Sequence, residues 1–239
     1  MWTSIGLLAT LVTASVATYV AQSNCILRTR DLCQPTLQEM RDAFTQFMIV
    51  PQIIPAPPRS LVTKYYNRYT MCIGNRIPPW ETTILPFTSW PNVNPNSFHT
   101  ILAIDPDNPQ FFTTTEQYLV ELIINIPGAN FAAGTVLTPF KPIAPLPGSG
   151  DHRIIYLVFR QLGFINMTAE EKYVYATNFS FSVANFTGKY MLGTPIAGNF
   201  FVSSQTLCKL PCDVKDSKDS CECGEDCEVG SYYKNEKCY

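Results

Sequence analysis

The sequence predicts a mainly β domain organised around an antiparallel sheet, and three observations carry that prediction. Beyond Pro51 the chain runs in short β-rich stretches, LVTKYYNRYTMCI (61–73), FHTILAI (98–104), YLVELIINI (118–126) and IIYLVF (154–159), separated by Pro, Gly and Asn. Hydrophobic residues make up 46% of the 239 positions and charged residues 15%, so the chain can bury a sizeable core instead of staying disordered. Helical signals are confined to two short windows.

The first stretch, residues 1–23, has an apolar core from Ile5 to Ala17 followed by small residues, the pattern of a signal peptide. A membrane anchor is the competing reading, but the run falls short of the roughly 18 apolar residues a span requires. Three glycosylation sequons, at Asn166 (NMT), Asn178 (NFS) and Asn185 (NFT), agree with export. All nine cysteines follow the leader: Cys25, Cys33, Cys72, and six among the last 32 residues. In an oxidising compartment they predict disulfides, with the odd one free or tying a disulfide-linked dimer. Cys221, Cys223 and Cys227 as metal ligands are the weaker alternative, since export and the absence of a nearby histidine favour bridges. No metal site is expected.

The first helix is predicted over TLQEMRDAFTQFM (36–48). Thr36 is the N-cap, Glu39 completes a capping box, and Leu37, Met40, Phe44 and Phe47 recur at helical spacing. The β runs follow, and a second helical window spans Val183 to Leu192. After this the composition turns to Asp, Glu, Lys and Cys. Eight acids and five lysines give residues 208–239 a net charge of −3, against +1 for the rest. The expected organisation is a leader (1–23), a β domain (24–206) and an acidic, disulfide-tied tail (207–239) too small to fold without staples.

A net charge of −2 without a basic run excludes a nucleic-acid partner, whose backbone is read by clustered Lys and Arg. No cofactor motif is present: there is no phosphate-cradling G-x-x-x-x-G-K and no H-E-x-x-H helix. The GSG turn at 148–150 is not a G-x-S-x-G elbow, and no nucleophilic triad is visible. Two loops do invite chemistry. IDPDNP (104–109) holds two carboxylates on a path fixed by prolines, and GSGDHR (148–153) presents a histidine beside a glycine turn. If Asp105 accepts from the His152 imidazole it orients the ring and favours its charged form, which suits an anion together with the turn's N–H groups. In the plainer reading Asp105 caps a turn and His152 is solvated. His99 reads as a strand residue.

IVPQII (49–54), GNRIPP (74–79), DPDNP (105–109), NIPG (125–128), PGSGDHRIIYLVFRQ (147–161) and YMLGTPIAGNFF (190–201) resemble, in order and spacing, the phosphatidylethanolamine-binding protein family. The likeness covers roughly residues 34–206. It implies a Greek-key β fold with a large antiparallel sheet, a smaller sheet, a few flanking helices and a small anion pocket near one end. Carried over by position, Asp105, Pro106 and Asp107 match the family's DPD loop, Gly150 and His152 its G-x-H-R turn, Tyr118 a pocket aromatic, and Tyr190 a C-terminal helical segment bordering the pocket. Three departures are all apolar: Val120 where the family places a second histidine, Ile154 for a tyrosine, and Leu146 for the second proline of a pair. Strand alternation puts Tyr118 and Val120 on one face, and likewise His152 and Ile154, with Glu121 facing away. The apolar departures then predict that Tyr118, Val120, Leu146 and Ile154 line a cleft with Asp105 and His152 at its polar end.

The expected function is an exported, non-enzymatic binding protein for a small amphiphilic, lipid-like or anionic ligand, with a pocket more apolar than usual for the family. The runner-up is an inhibitor or modulator of an extracellular protease or other protein partner, acting by surface contact or through the tail. Catalysis ranks third, because no nucleophile, metal or cofactor motif accompanies Asp105 and His152.

Overall fold

A computed structural model describes residues 33–205 except 67–68, 92 and 111–114. The predicted leader, the tail with its six cysteines, and Cys25 lie outside the described residues. The central element is a seven-stranded sheet ordered β3(Asn75–Arg76), β10(Ala197–Ser203), β8(His152–Arg160), β5(Phe98–Asp105), β6(Gln117–Pro127), β7(Thr135–Thr138), with β9(Ser180–Phe181) also paired to β6. All its pairings are antiparallel except β10 with β3. A three-stranded sheet, β2(Tyr69–Thr70), β1(Thr63–Tyr66), β4(Phe87–Ser89), forms a second layer.

The large sheet is covered on both faces, which explains why its central strands read as continuous apolar runs instead of alternating. On β8, Ile155, Leu157 and Phe159 enter one core with Met40 and Phe44 of α1(Leu37–Gln46) and Phe186 of α3(Val183–Lys189). Ile154, Tyr156 and Val158 enter the other, with Val62, Tyr66, Met71 and Trp90 from the smaller layer. The sequence therefore predicts the class and its principal strands. The capping box of α1 forms as read, Glu39 N–H donating to Thr36 Oγ1 and the Glu39 carboxylate accepting from Thr36 N–H. Several elements escaped the reading, among them the short strands β3, β4, β7 and β9. Strand β10 did, and so did α2(Ala169–Thr177), which buries none of its residues and so carries no apolar stripe.

One expectation fails inside β6. Glu121 does not face away; it is buried and accepts from Lys64 Nζ at 2.9 Å, with that ammonium 3.8 Å from the centre of the Tyr156 ring. The reason is a bulge. Ala103 pairs with Glu121 but Ile104 pairs with Leu119, so Val120 is an extra residue and alternation shifts by one. Both Val120 and Glu121 thus lie on the side of the smaller sheet, where Tyr66 and Tyr156 share a 2.6 Å hydrogen bond between their hydroxyls.

Cys33 and Cys72 form a disulfide spanning 39 positions, tying the segment before α1 to the turn before β3. Removing it with the Cys33→Ser/Cys72→Ser pair should cost about 2–4 kcal/mol in denaturant unfolding, by freeing the unfolded chain. The buried ion pair gives a sharper expectation. Lys64→Met alone leaves a buried carboxylate unpaired and should lose about 3–5 kcal/mol, whereas Lys64→Met/Glu121→Leu should recover most of that loss in the same urea titration.

Candidate functional site

The site lies at the end of the large sheet where β5 stops and β8 begins. The sheet register brings these loops together: Ile104 pairs with Ile155, and Asp105 pairs with Tyr118 at the start of β6. Asp105 and His152 therefore emerge on adjacent strands, on the face that carries the smaller sheet. Their side chains meet, with His152 Nδ1 at 2.7 Å from Asp105 Oδ2. Contact at that distance needs a proton between the two atoms, and because imidazole is a stronger base than carboxylate the proton is assigned to Nδ1. The solvated reading of His152 is overturned, because its side chain is 1% exposed.

The loop after β5 is itself locked. Asp105 Oδ1 accepts from Asp107 N–H at 3.0 Å, an Asx turn that fixes the carboxylate. Asp107 in turn accepts from the backbone and guanidinium of Arg153, whose Nη1 also donates to the Phe47 carbonyl. Asp107 is thus a brace, with Pro106 between it and the site. Burial pushes the Asp105 carboxyl up, opposed by the bond to His152. Burial pulls the His152 imidazole down, but the Asp105 hydrogen bond and charge, with Asp107 and Asp151 beyond, leave it raised.

On the other ring nitrogen, His152 Nε2 lies 2.7 Å from Ser149 Oγ, and that hydroxyl also reaches the Leu146 carbonyl at 2.7 Å. Gly148 and Gly150 both have positive φ, at 78° and 84°, and this left-handed backbone folds the turn back over the histidine. Sequence reasoning found no triad because Ser149 and His152 match no catalytic motif. The turn nevertheless places a serine, a histidine and an aspartate in one hydrogen-bonded chain.

Beside Asp105 opens a cavity of about 80 Å³ lined by Asp105, Asn108, Tyr118, Val120, Pro142, Ile143 and Ala144. Of the residues expected there, Asp105, Tyr118 and Val120 line it. Ile154 is on the right face but fully buried in the core beneath the smaller sheet, and Leu146 points its 55% exposed side chain outward from the turn. Gly150 sits in that turn, outside the lining. Tyr190 is misplaced more seriously. It packs against Phe186, ring centres 5.0 Å apart, with the core on the opposite face of the sheet. Asn108 and the Pro142–Ala144 segment were missed, although Asn108 stands in the same DPDNP loop. Lys141, also unforeseen, donates from Nζ to the Leu119 carbonyl at 3.1 Å and lies 3.3 Å from the Phe179 ring centre and 5.1 Å from that of Tyr118. Burial brings its pKa down to about 8. His99 is a strand residue, as read; it is buried, its ring edge-to-face with Trp90.

Comparison with known proteins bears on the fold and the family. No family model matches the chain. It is 33% identical over 159 residues to the "26 kDa secreted antigen" of Toxocara canis, covering 65% of this chain and 60% of that relative's length. It is 31% identical over 189 residues to the "Putative odorant-binding protein A5" of Drosophila melanogaster, covering 75% of this chain and 85% of the relative. Among solved structures, a carboxypeptidase Y inhibitor complexed with its cognate proteinase matches with a TM-score of 0.59 at 15% identity, over 70% of this chain and 96% of that one. A phosphatidylethanolamine-binding protein from Plasmodium vivax matches with a TM-score of 0.52 at 13% identity, over 72% and 98%. With the fold shared by these structures and sequence identity sustained across most of the Drosophila relative, the chain belongs to the phosphatidylethanolamine-binding protein family.

Proposed function

We propose that the protein is an exported carrier or sensor of a small amphiphile, held in the cavity beside Asp105. One observation carries the reading: a carboxylate oriented from behind by a buried imidazole lines a small cavity that it shares with Asn108, Tyr118, Val120 and the Pro142–Ala144 segment. The ligand's head group bonds to Asp105 and Asn108, and its apolar part lies against Tyr118, Val120, Pro142, Ile143 and Ala144. Drug-sized ligands occupy roughly 300–1,000 Å³. At about 80 Å³ the cavity takes a head group or a short chain, not a whole lipid.

Val120 in place of a second donor makes the cavity more apolar and weakens its hold on a phosphate-like head. A hydrogen bond to a charged group is worth about 1.5–3 kcal/mol, so the loss amounts to roughly ten- to a hundredfold in affinity. Lys141, adjoining the Pro142 wall, offers a cation to an anionic head in compensation. Export is supported by the leader pattern, the Cys33–Cys72 bridge, the secreted relative and the exposure of Asn166, Asn178 and Asn185, which leaves all three sequons open to glycans.

A second reading, an inhibitor or modulator of an extracellular protease, has its own observation. The smaller sheet exposes Phe87 at 65%, against Tyr65, and the loop that leads into β4 exposes Ile84 and Leu85 at 56% and 67%, apolar surface suited to a protein partner. The tail (207–239) and the ninth-cysteine dimer belong to that reading.

Calorimetry separates the two. Short-chain amphiphiles should bind the full-length protein more tightly than inorganic phosphate or phosphoethanolamine, and Asp105→Asn should weaken them by about ten- to a hundredfold. Phosphate affinity that does not respond to an added chain would overturn the amphiphile. Binding of a protease with no small-molecule uptake would favour the inhibitor.

A further inference from the structure

The hydrogen-bonded chain at the end of the sheet has the order that activates a serine: hydroxyl, imidazole, carboxylate. Ser149 Oγ is 2.7 Å from His152 Nε2, and His152 Nδ1 is 2.7 Å from Asp105 Oδ2. Both distances fall within the roughly 2.6–3.2 Å expected of a nucleophile, its base and an orienting third group. We propose that Ser149, His152 and Asp105 form a nucleophilic site that accepts acyl groups from small esters. The proposal shares Asp105 and His152 with the binding site above but does not require the cavity to be occupied.

The surroundings of Ser149 suit this role. The residue after a nucleophile commonly supplies an N–H to the developing oxyanion. Here neither Gly150 nor Asp151 N–H donates a hydrogen bond among the described residues. Gly150 has left-handed backbone, and a side-chain carbon added there would meet nothing within 4 Å, so space for an ester carbonyl is open beside the turn. Leu146 leaves its side chain 55% exposed on the same turn, apolar surface for a short acyl chain.

The proton inventory makes the site pH-gated. When His152 is an imidazolium, Nε2–H donates to Ser149 Oγ and the hydroxyl proton goes to the Leu146 carbonyl. When Nε2 is bare, the hydroxyl proton turns to it and the serine is armed. Oγ then attacks the ester carbonyl carbon as its proton passes to Nε2. The tetrahedral adduct collapses, Nε2–H protonates the departing alkoxide, and an alcohol leaves an acyl-Ser149. Water, losing its proton to Nε2, releases the carboxylic acid and restores Ser149. The charges facing the imidazole are Asp105 from β5, Asp107 paired with Arg153, and Asp151 paired with Arg76. Together they hold the ring protonated to higher pH, so reactivity rises with pH through that titration.

The test is covalent labelling of the full-length, exported protein with an alkyl fluorophosphonate, the labelled residue located by peptide mass spectrometry. At about pH 8 Ser149 should be labelled, and a competing p-nitrophenyl ester should slow the reaction. Ser149→Ala, on an exposed turn where folding is undisturbed, should abolish labelling, and His152→Gln or Asp105→Asn should slow it about a hundredfold. The rate should fall as pH drops through the imidazole titration, and this profile carries the same test if the His152 variant does not fold. An unlabelled Ser149 in folded protein would overturn the proposal, as would labelling at a rate indifferent to pH or to the loss of His152. Because Ser149→Ala leaves the cavity lining intact, unchanged amphiphile uptake by that variant keeps this outcome separate from the binding reading.

Discussion

The bond between His152 Nδ1 and Asp105 Oδ2 is the constraint on which the functional end of this molecule depends. It joins residues 47 positions apart and holds together the loops that leave β5 and enter β8. Neither partner is at ease alone. Both side chains are buried, and each meets the other with one polar atom while its second is held by the adjoining turn, Asp105 by Asp107 N–H and His152 by Ser149. One contact therefore sets the tautomer of the ring, the position of the cavity's acidic wall and the hydrogen bond available to Ser149.

That contact is precise because the elements bearing it cannot shift. The large sheet is clamped between a helical layer and a smaller sheet, and its central strands bury both faces. The Asp107–Arg153 bridge, anchored on the Phe47 carbonyl after α1, links the site loop to the helical layer as well. On the opposite side the bulge at Val120 brings Glu121 into the second core beside Lys64, and it also sets Val120 in the cavity wall. A single extra residue in β6 thus serves both the packing and the pocket.

Much of this was legible in the sequence. The capping box at Thr36 and Glu39 announced α1, and apolar runs marked β5, β6 and β8 because strands covered on both sides need no polar alternation. The same box recurs at Thr168 and Glu171, yet without a buried face α2 offered no period to confirm it. Alternation put Tyr118, Val120 and Ile154 on the right face but could not say that the smaller sheet would cover Ile154. It misled at Glu121, since a bulge is defined by the partner strand. Tyr190 was assigned by resemblance, and local packing against Phe186 took it to the far side. The aspartate–histidine contact was anticipated from the two loops, but the serine was not: Ser149 joins the chain only because the left-handed turn at Gly148 and Gly150 folds its hydroxyl onto Nε2.

The central claim is most directly tested by nitrogen-edited NMR of the imidazole of His152 in the full-length protein. The account predicts a protonated Nδ1 whose proton resonates far downfield, exchanges slowly with water and disappears in Asp105→Asn. A ring that exchanges its protons freely and titrates as histidine does in an unfolded chain would contradict it.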